Sequence, residues 1–149
     1  MLRIGRSMRG IRRFRRGEKG RMIMRTEQRM DEDIRQIDKK YDWTEWRPFP
    51  NPERHDFIYA PFGFGVYQLR NKVTGQYILF GEGKNLAYRM SSLLPSPYGQ
   101  GRRKSEKKRE YVWKNIEDIE YRTVVCGDKE EAQRIQKELK RMKIHRFNE

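Results

Sequence analysis

A chain of 149 residues has room for one packed domain and a tail. Its 35 Lys and Arg outweigh 21 Asp and Glu for a formal net charge of +14, which draws a small protein to polyanions; nucleic acid is the expected partner, and anionic membrane, the second such polyanion, is not expected because no amphipathic stripe is sustained. A lone Cys126 excludes an intrachain disulfide partner, His55 and His145 make no recognisable zinc spacing, and no apolar run approaches the ~20 residues that span a bilayer.

Residues 1–26 read as a flexible basic arm. Arg3, Arg6, Arg9, Arg12, Arg13, Arg15 and Arg16 are balanced by Glu18 alone, and Gly5, Gly10, Gly17 and Gly20 interrupt the run. Like-charge repulsion and glycine entropy both oppose packing there. Such an arm neutralises phosphates. An Arg-rich, acid-poor start is also one mark of a mitochondrial presequence, and Met22, Met24 and Met30 are alternative starts. The expected compartment is reducing: cytoplasmic or nucleoid-like, with the mitochondrial matrix as the alternative.

Residues 27–57 read as a short helix and a docking segment. Met30, Ile34, Ile37 and Tyr41 share one helical face. Trp43, Trp46, Phe49 and Phe57 follow, and Tyr59 and Phe62 continue the aromatic run into the next region. Pro48, Pro50, Pro52 and Pro61 interrupt it, which disfavours helix and inner strand. The expectation is an extended segment whose rings dock on the domain that follows. The alternative is that some of the rings stack on bases.

Residues 58–149 read as the folded domain. Strands are expected over 65–70 and 76–80, joined by a turn at Val73-Thr74-Gly75-Gln76 in which Gly75 is free to take positive φ. A helix over 84–94 stops before Pro95, a Pro- and Gly-rich loop covers 95–103, and a basic helix covers 104–115. A β-branched strand covers 119–126. Asp128 caps the last helix, Glu131 completes a capping box, and Ala132, Ile135, Leu139 and Met142 form its apolar stripe. The fold class is α/β of the α+β type, with a small three-stranded, mainly antiparallel sheet flanked by helices in the order β-β-α-α-β-α.

Four pieces of this region, in order, resemble the GIY-YIG nuclease superfamily. Gly65-Val66-Tyr67 matches the first motif. Gly81, in Tyr77-Ile78-Leu79-Phe80-Gly81, matches the glycine of the second. Lys84-Asn85-Leu86-Ala87-Tyr88-Arg89 puts Arg89 at the family's catalytic arginine. Ala132, Gln136 and Asn148 fall at the spacing of the family's Ala, its metal-binding Glu and a later Asn. The likeness is greatest to the incision subunits of excision repair and to homing endonucleases, and it covers residues 58–149.

The resemblance implies phosphodiester hydrolysis. Mg²⁺ or Mn²⁺ would stabilise charge on the phosphate, Arg89 would grip its oxygens through a planar fork, and Tyr67 would activate water. Gly65, Gly81, Lys84, Asn85 and Asn148 are the implied substrate contacts. Arg102, Arg103, Lys104, Lys107, Lys108 and Arg109 form a basic patch that, with Tyr98 and Tyr111 nearby, reads as a surface for the nucleic-acid backbone.

Three departures bear on catalysis. Gln136 replaces the metal-binding Glu, and a neutral amide is the poorer ligand for a hard cation. Leu79 replaces the second motif's tyrosine, and Tyr77, two residues earlier, could serve only if a bulge shifts the strand. Glu82 places an acid beside the glycine, as a repellent of phosphate or as a substitute metal ligand. Three readings follow: a binding domain with impaired or lost cleavage, an active endonuclease with a metal site rebuilt on Glu82, and a structural RNA-binding component of a larger ribonucleoprotein particle.

Overall fold

The computed structural model describes residues 18–54, 56–95 and 106–148. The chain divides into two units between Lys40 and Tyr41. The first holds one long helix, α1 (Glu18–Lys40). It is longer than the short helix expected and takes in residues 18–26 of the expected arm. Strong helix formers and opposite charges four residues apart, Arg29 with Asp33 and Asp31 with Arg35, favour helix over the local repulsion. The rest of the expected arm, together with Tyr98, Arg102, Arg103 and Lys104, lies outside the described residues. None of the described helices is long and apolar enough to cross a membrane.

The second unit is built on a sheet of four antiparallel strands in the order β1-β4-β2-β3. They are β1 (Arg47–Pro48), β2 (Phe62–Asn71), β3 (Tyr77–Asn85) and β4 (Ile119–Val125). Three strands were expected. The fourth comes from the Pro-rich segment, which docks by its backbone as well as by its rings. Thr44 N–H donates to Thr123 C=O and Phe49 N–H to Ile119 C=O, both at 2.8 Å. Pro48 has no N–H to give, so this strand is two residues long and lies at the edge. The segment's rings divide. Phe49 is buried edge-on against Tyr121, and Trp46 meets Tyr77 edge-on, whereas Phe57, Tyr59 and Phe62 stay exposed.

The β2–β3 hairpin forms where turn chemistry places it. Asn71 Oδ1 accepts from Val73 N–H at 2.9 Å and from Thr74 N–H at 3.1 Å, and Gly75 takes φ +76°. Beyond the turn, β3 runs five residues past the expected end, through Gly81-Glu82-Gly83-Lys84-Asn85. Its partner β2 supplies the ladder there, which local propensity would not.

The pleat sorts the residues. Tyr67 pairs with Gly81 and Thr123, and Leu69 with Leu79 and Tyr121, so these share a face. Helices α2 (Leu86–Ser91) and α3 (Glu106–Lys114) cover it, and their Leu86, Met90 and Val112 join Tyr67, Leu69, Leu79 and Tyr121 in one apolar core. Each such fully buried aliphatic side chain contributes about 1.5–3 kcal/mol. The other face carries Val66, Gln68, Phe80, Arg122 and Val124. Helix α4 (Lys129–Met142) packs on β2 and β3 there, burying Ala132, Ile135 and Leu139.

Helix ends follow their caps. Lys84 and Asn85 belong to β3, so α2 is shorter than expected. Asn85 is its N-cap, accepting from Tyr88 N–H at 3.0 Å. Asp128 caps α4 as expected, accepting from Glu131 N–H at 2.8 Å, but the Glu131 carboxylate accepts from Gly127 N–H at 2.6 Å, one residue short of the expected reciprocal bond. Tyr41, expected on the first helix's face, lies just beyond it and donates its hydroxyl to Glu138 of α4.

Candidate functional site

Three glycines on the α2 face of the sheet leave bare backbone. A Cβ on Gly81 would stand 2.5 Å from Tyr67 Oη and 2.6 Å from Cζ, so the buried Tyr67 ring lies directly on that residue. A Cβ on Gly83 would meet Arg89 Cγ at 3.2 Å, Cδ at 3.4 Å and Nε at 3.6 Å, so the arginine stem runs over it. A Cβ on Gly65 would come within 2.6 Å of Val124 O and 2.9 Å of Leu86 Cδ1, so this glycine lets α2 seat against the sheet. Gly81 and Gly83 are about 6–7 Å apart along the strand. The phenol of Tyr67 and the stem of Arg89 therefore share one strip of β3. Gly83 was not singled out from the sequence; the Gly-Glu-Gly spacing was the available signal.

The other site residues scatter around this strip. Glu82 pairs with Val66, so the pleat turns it to the α4 face, away from Tyr67 and Arg89. Gln136 is half-buried on α4, across the sheet from Tyr67. Glu82 is felt instead at Cys126, whose thiol is pushed up to about 11, first by burial, then by Glu131 and Asp128, with Arg134 opposing and Glu82 adding. Leu79 is a core residue paired with Leu69. Tyr77 does not replace it. A register shift between Leu69 and Arg70 pairs Tyr77 with Arg70 and packs it edge-on to Trp46 and His145.

Lys84 is exposed, with Nζ 6.0 Å from the Phe64 ring centroid. The oxygen of Asn85 serves the helix cap. On α3, Lys107 is exposed, but Lys108 is only 7% exposed and sits on the buried side with Val112, which removes it from the expected basic surface. Asn148 donates from Nδ2 to Lys140 C=O at 2.7 Å and ties the tail to the end of α4.

Among the described residues, no group of three or more His, Cys, Asp or Glu stands together as a metal site. The amide of Gln136 is a weak donor for a hard cation, and Glu82 lies on the opposite face from the Tyr67–Arg89 strip. This donor set does not fit a tightly held Mg²⁺ or Mn²⁺.

The α4 face holds a polar cluster of which the sequence carried no sign. Arg122 Nε donates to Gln68 Oε1 at 2.8 Å, and Gln68 Nε2 meets His145 Nε2 at 3.0 Å. The Arg122 guanidinium lies 4.2 Å from the Trp43 ring centroid and 4.6 Å from that of Trp46. The His145 imidazole is held down to about 3, first by burial, then by the Arg122 charge, with Asn148 pulling weakly the other way. A neutral ring takes the Gln68 amide proton on Nε2 and keeps its own on Nδ1.

Compared with protein-family models, with curated proteins and with solved structures, the chain matches none.

Proposed function

We propose that residues 58–149 are a GIY-YIG-type nucleic-acid-binding domain in which metal-dependent phosphodiester cleavage is impaired or lost. The observation that carries this reading is the glycine strip. Tyr67 lies on Gly81 and Arg89 runs over Gly83, so the first motif's tyrosine, which is buried, the second motif's glycine and the helix arginine lie along one strip of β3. An arginine there holds a phosphate through two parallel N–H···O bonds. The net charge of +14 supplies the longer-range attraction. Two positions favour lost cleavage over a working site: Gln136 brings no charge to a cation, and Glu82 is turned from the strip.

The test is single-turnover cleavage of supercoiled plasmid and of structured RNA with Mg²⁺ or Mn²⁺, run beside a binding assay. The chain should bind without cutting, and Arg89→Ala should weaken binding about tenfold, the worth of a charge-assisted contact. Gln136→Glu should not restore cutting, because the new carboxylate would stand on α4, across the sheet from Tyr67 and Arg89. Cleavage by the native chain that disappears in Arg89→Ala would overturn the loss of activity, and sensitivity of that cleavage to Glu82→Ala would point to a rebuilt metal site. Binding to structured RNA alone, with no cutting in any variant, would favour the structural ribonucleoprotein role.

A further inference from the structure

Three aromatic rings beside α2 face solvent. Phe57 is 72% exposed, Phe62 is 92% and Tyr88 is 51%. They come from the Pro-rich segment, the first residue of β2 and α2, and they line one groove of about 430 Å³. That volume suits one small planar molecule. The wall is built before any ligand arrives. Tyr121 Oη accepts from Tyr59 N–H at 2.8 Å, and Asn51 Nδ2 donates to Glu117 at 2.6 Å, so both ends of the segment that carries Phe57 are pinned to the domain.

The groove's chemistry selects its occupant. The rings offer stacking faces, which an apolar side chain uses less well than a flat heterocycle. Asp56, Asn85 and Ser91 stand among them. A carboxylate repels a phosphate but accepts a hydrogen bond from the N–H edge of a base. The same helix that lines the groove with Tyr88 also carries Arg89, the residue proposed to hold a phosphate. A net charge of +14 favours a polyanion over an apolar peptide.

We propose that the groove between the Pro-rich segment and α2 takes an unpaired nucleobase, so that the domain prefers single-stranded or frayed nucleic acid to duplex. The inference rests on the nucleic-acid reading of the Tyr67–Arg89 strip and adds the form of its ligand. A paired base is stacked inside a helix and cannot enter such a groove without being turned out, at an unstacking cost of a few kcal/mol.

The experiment is fluorescence anisotropy on the full chain with a labelled twelve-nucleotide mixed-sequence single strand and with the matching duplex, over a range of salt. The native chain should bind the single strand at least about tenfold more tightly, and Phe62→Ala should remove about tenfold of that affinity, the worth of one stacked base. Duplex affinity and the salt slope should not change, because no phosphate contact is lost. Phe62 is solvent-exposed, so the variant keeps its fold, with circular dichroism as the check. If neither Phe62→Ala nor the Phe57→Ala/Phe62→Ala pair alters single-strand affinity, the groove proposal is overturned and a protein partner becomes its better occupant. If the native chain binds neither oligonucleotide, the underlying nucleic-acid reading fails and takes the groove with it.

Discussion

On the sheet face beneath α2, Tyr67 and Arg89 reach over bare backbone at Gly81 and Gly83. On the face beneath α4, Arg122, Gln68 and His145 are buried and joined in a hydrogen-bonded chain, with His145 Nδ1 buried and unpartnered among the described residues at its end. One face positions side chains by removing atoms; the other positions them by pairing charges and dipoles. The difference sets how each fails. A site held by empty space is disturbed by one added methyl. A site held by a hydrogen-bonded chain tolerates little loss of any member, since each remaining partner is then buried and unsatisfied.

The largest effect should come from the α4 face. Arg122→Met keeps much of the stem's volume but leaves Gln68 Oε1 without its donor and removes the cation from between Trp43 and Trp46. The expected loss is about 3 kcal/mol, combining an unsatisfied buried acceptor with a desolvated cation–π contact. A urea unfolding midpoint measures it. Nucleic-acid binding, extrapolated to the folded fraction, should not change.

Gly81→Ala is the matching change on the α2 face and should cost less. The new methyl would overlap the Tyr67 hydroxyl, so the ring must move, at about 2 kcal/mol for overpacking a closed core. Here function should suffer with stability, because the displaced phenol is one of the two groups on the strip. The result that would break the comparison is full stability with full binding, which would mean that the ring has free space to rotate.

What was legible in the sequence follows the same division. The hairpin turn, the Asp128 cap and the apolar stripe of α4 each rest on residues within a few positions of one another, where local chemistry decides. Tyr67, Gly81 and Arg89 were singled out through the resemblance, and the structure sets them along one strip of β3. The Arg122–Gln68–His145 chain was not legible, because its links join residues 54 and 77 positions apart. Strand β1 was hidden by prolines that argue against a ladder, and the end of β3 by glycines that argue against a strand. Both exist because a neighbouring strand offers its edge. Lys108 was misplaced because charge marks a side chain as exposed unless a helix turns its stem inward, as α3 does.

The pH dependence separates the faces further. The ordinary His value of 6.5 applies to the unfolded chain, and in the fold His145 is held down to about 3. A depressed histidine favours the neutral form, so the stability it permits is complete above pH 6.5. It is lost as pH falls below that value, and the loss levels off near pH 3. At pH 5 the cost is about 2 kcal/mol, from 1.36 kcal/mol per pH unit of separation. Urea midpoints measured from pH 7.5 down to pH 5 should fall accordingly. His145→Gln, neutral at every pH, should flatten that part of the curve even if it is less stable throughout. An equal slope in the two proteins would place the acid sensitivity in the carboxylates.

Asn85 gives the smallest effect and the sharpest question about the site, because two roles compete for one side chain. As the N-cap of α2 its oxygen already accepts from Tyr88 N–H. Asn85→Ala should therefore cost about 1 kcal/mol, and Asn85→Ser, which keeps an acceptor at the same position, should recover most of it. Since α2 carries both Arg89 and Tyr88, a frayed first turn would also loosen the wall they share. Affinity for the single strand should then follow stability, falling in Asn85→Ala and returning in Asn85→Ser. If Asn85→Ser is stable yet binds as poorly as Asn85→Ala, the amide touches the ligand directly, and the α2 face is held by a hydrogen bond to its ligand as well as by empty space.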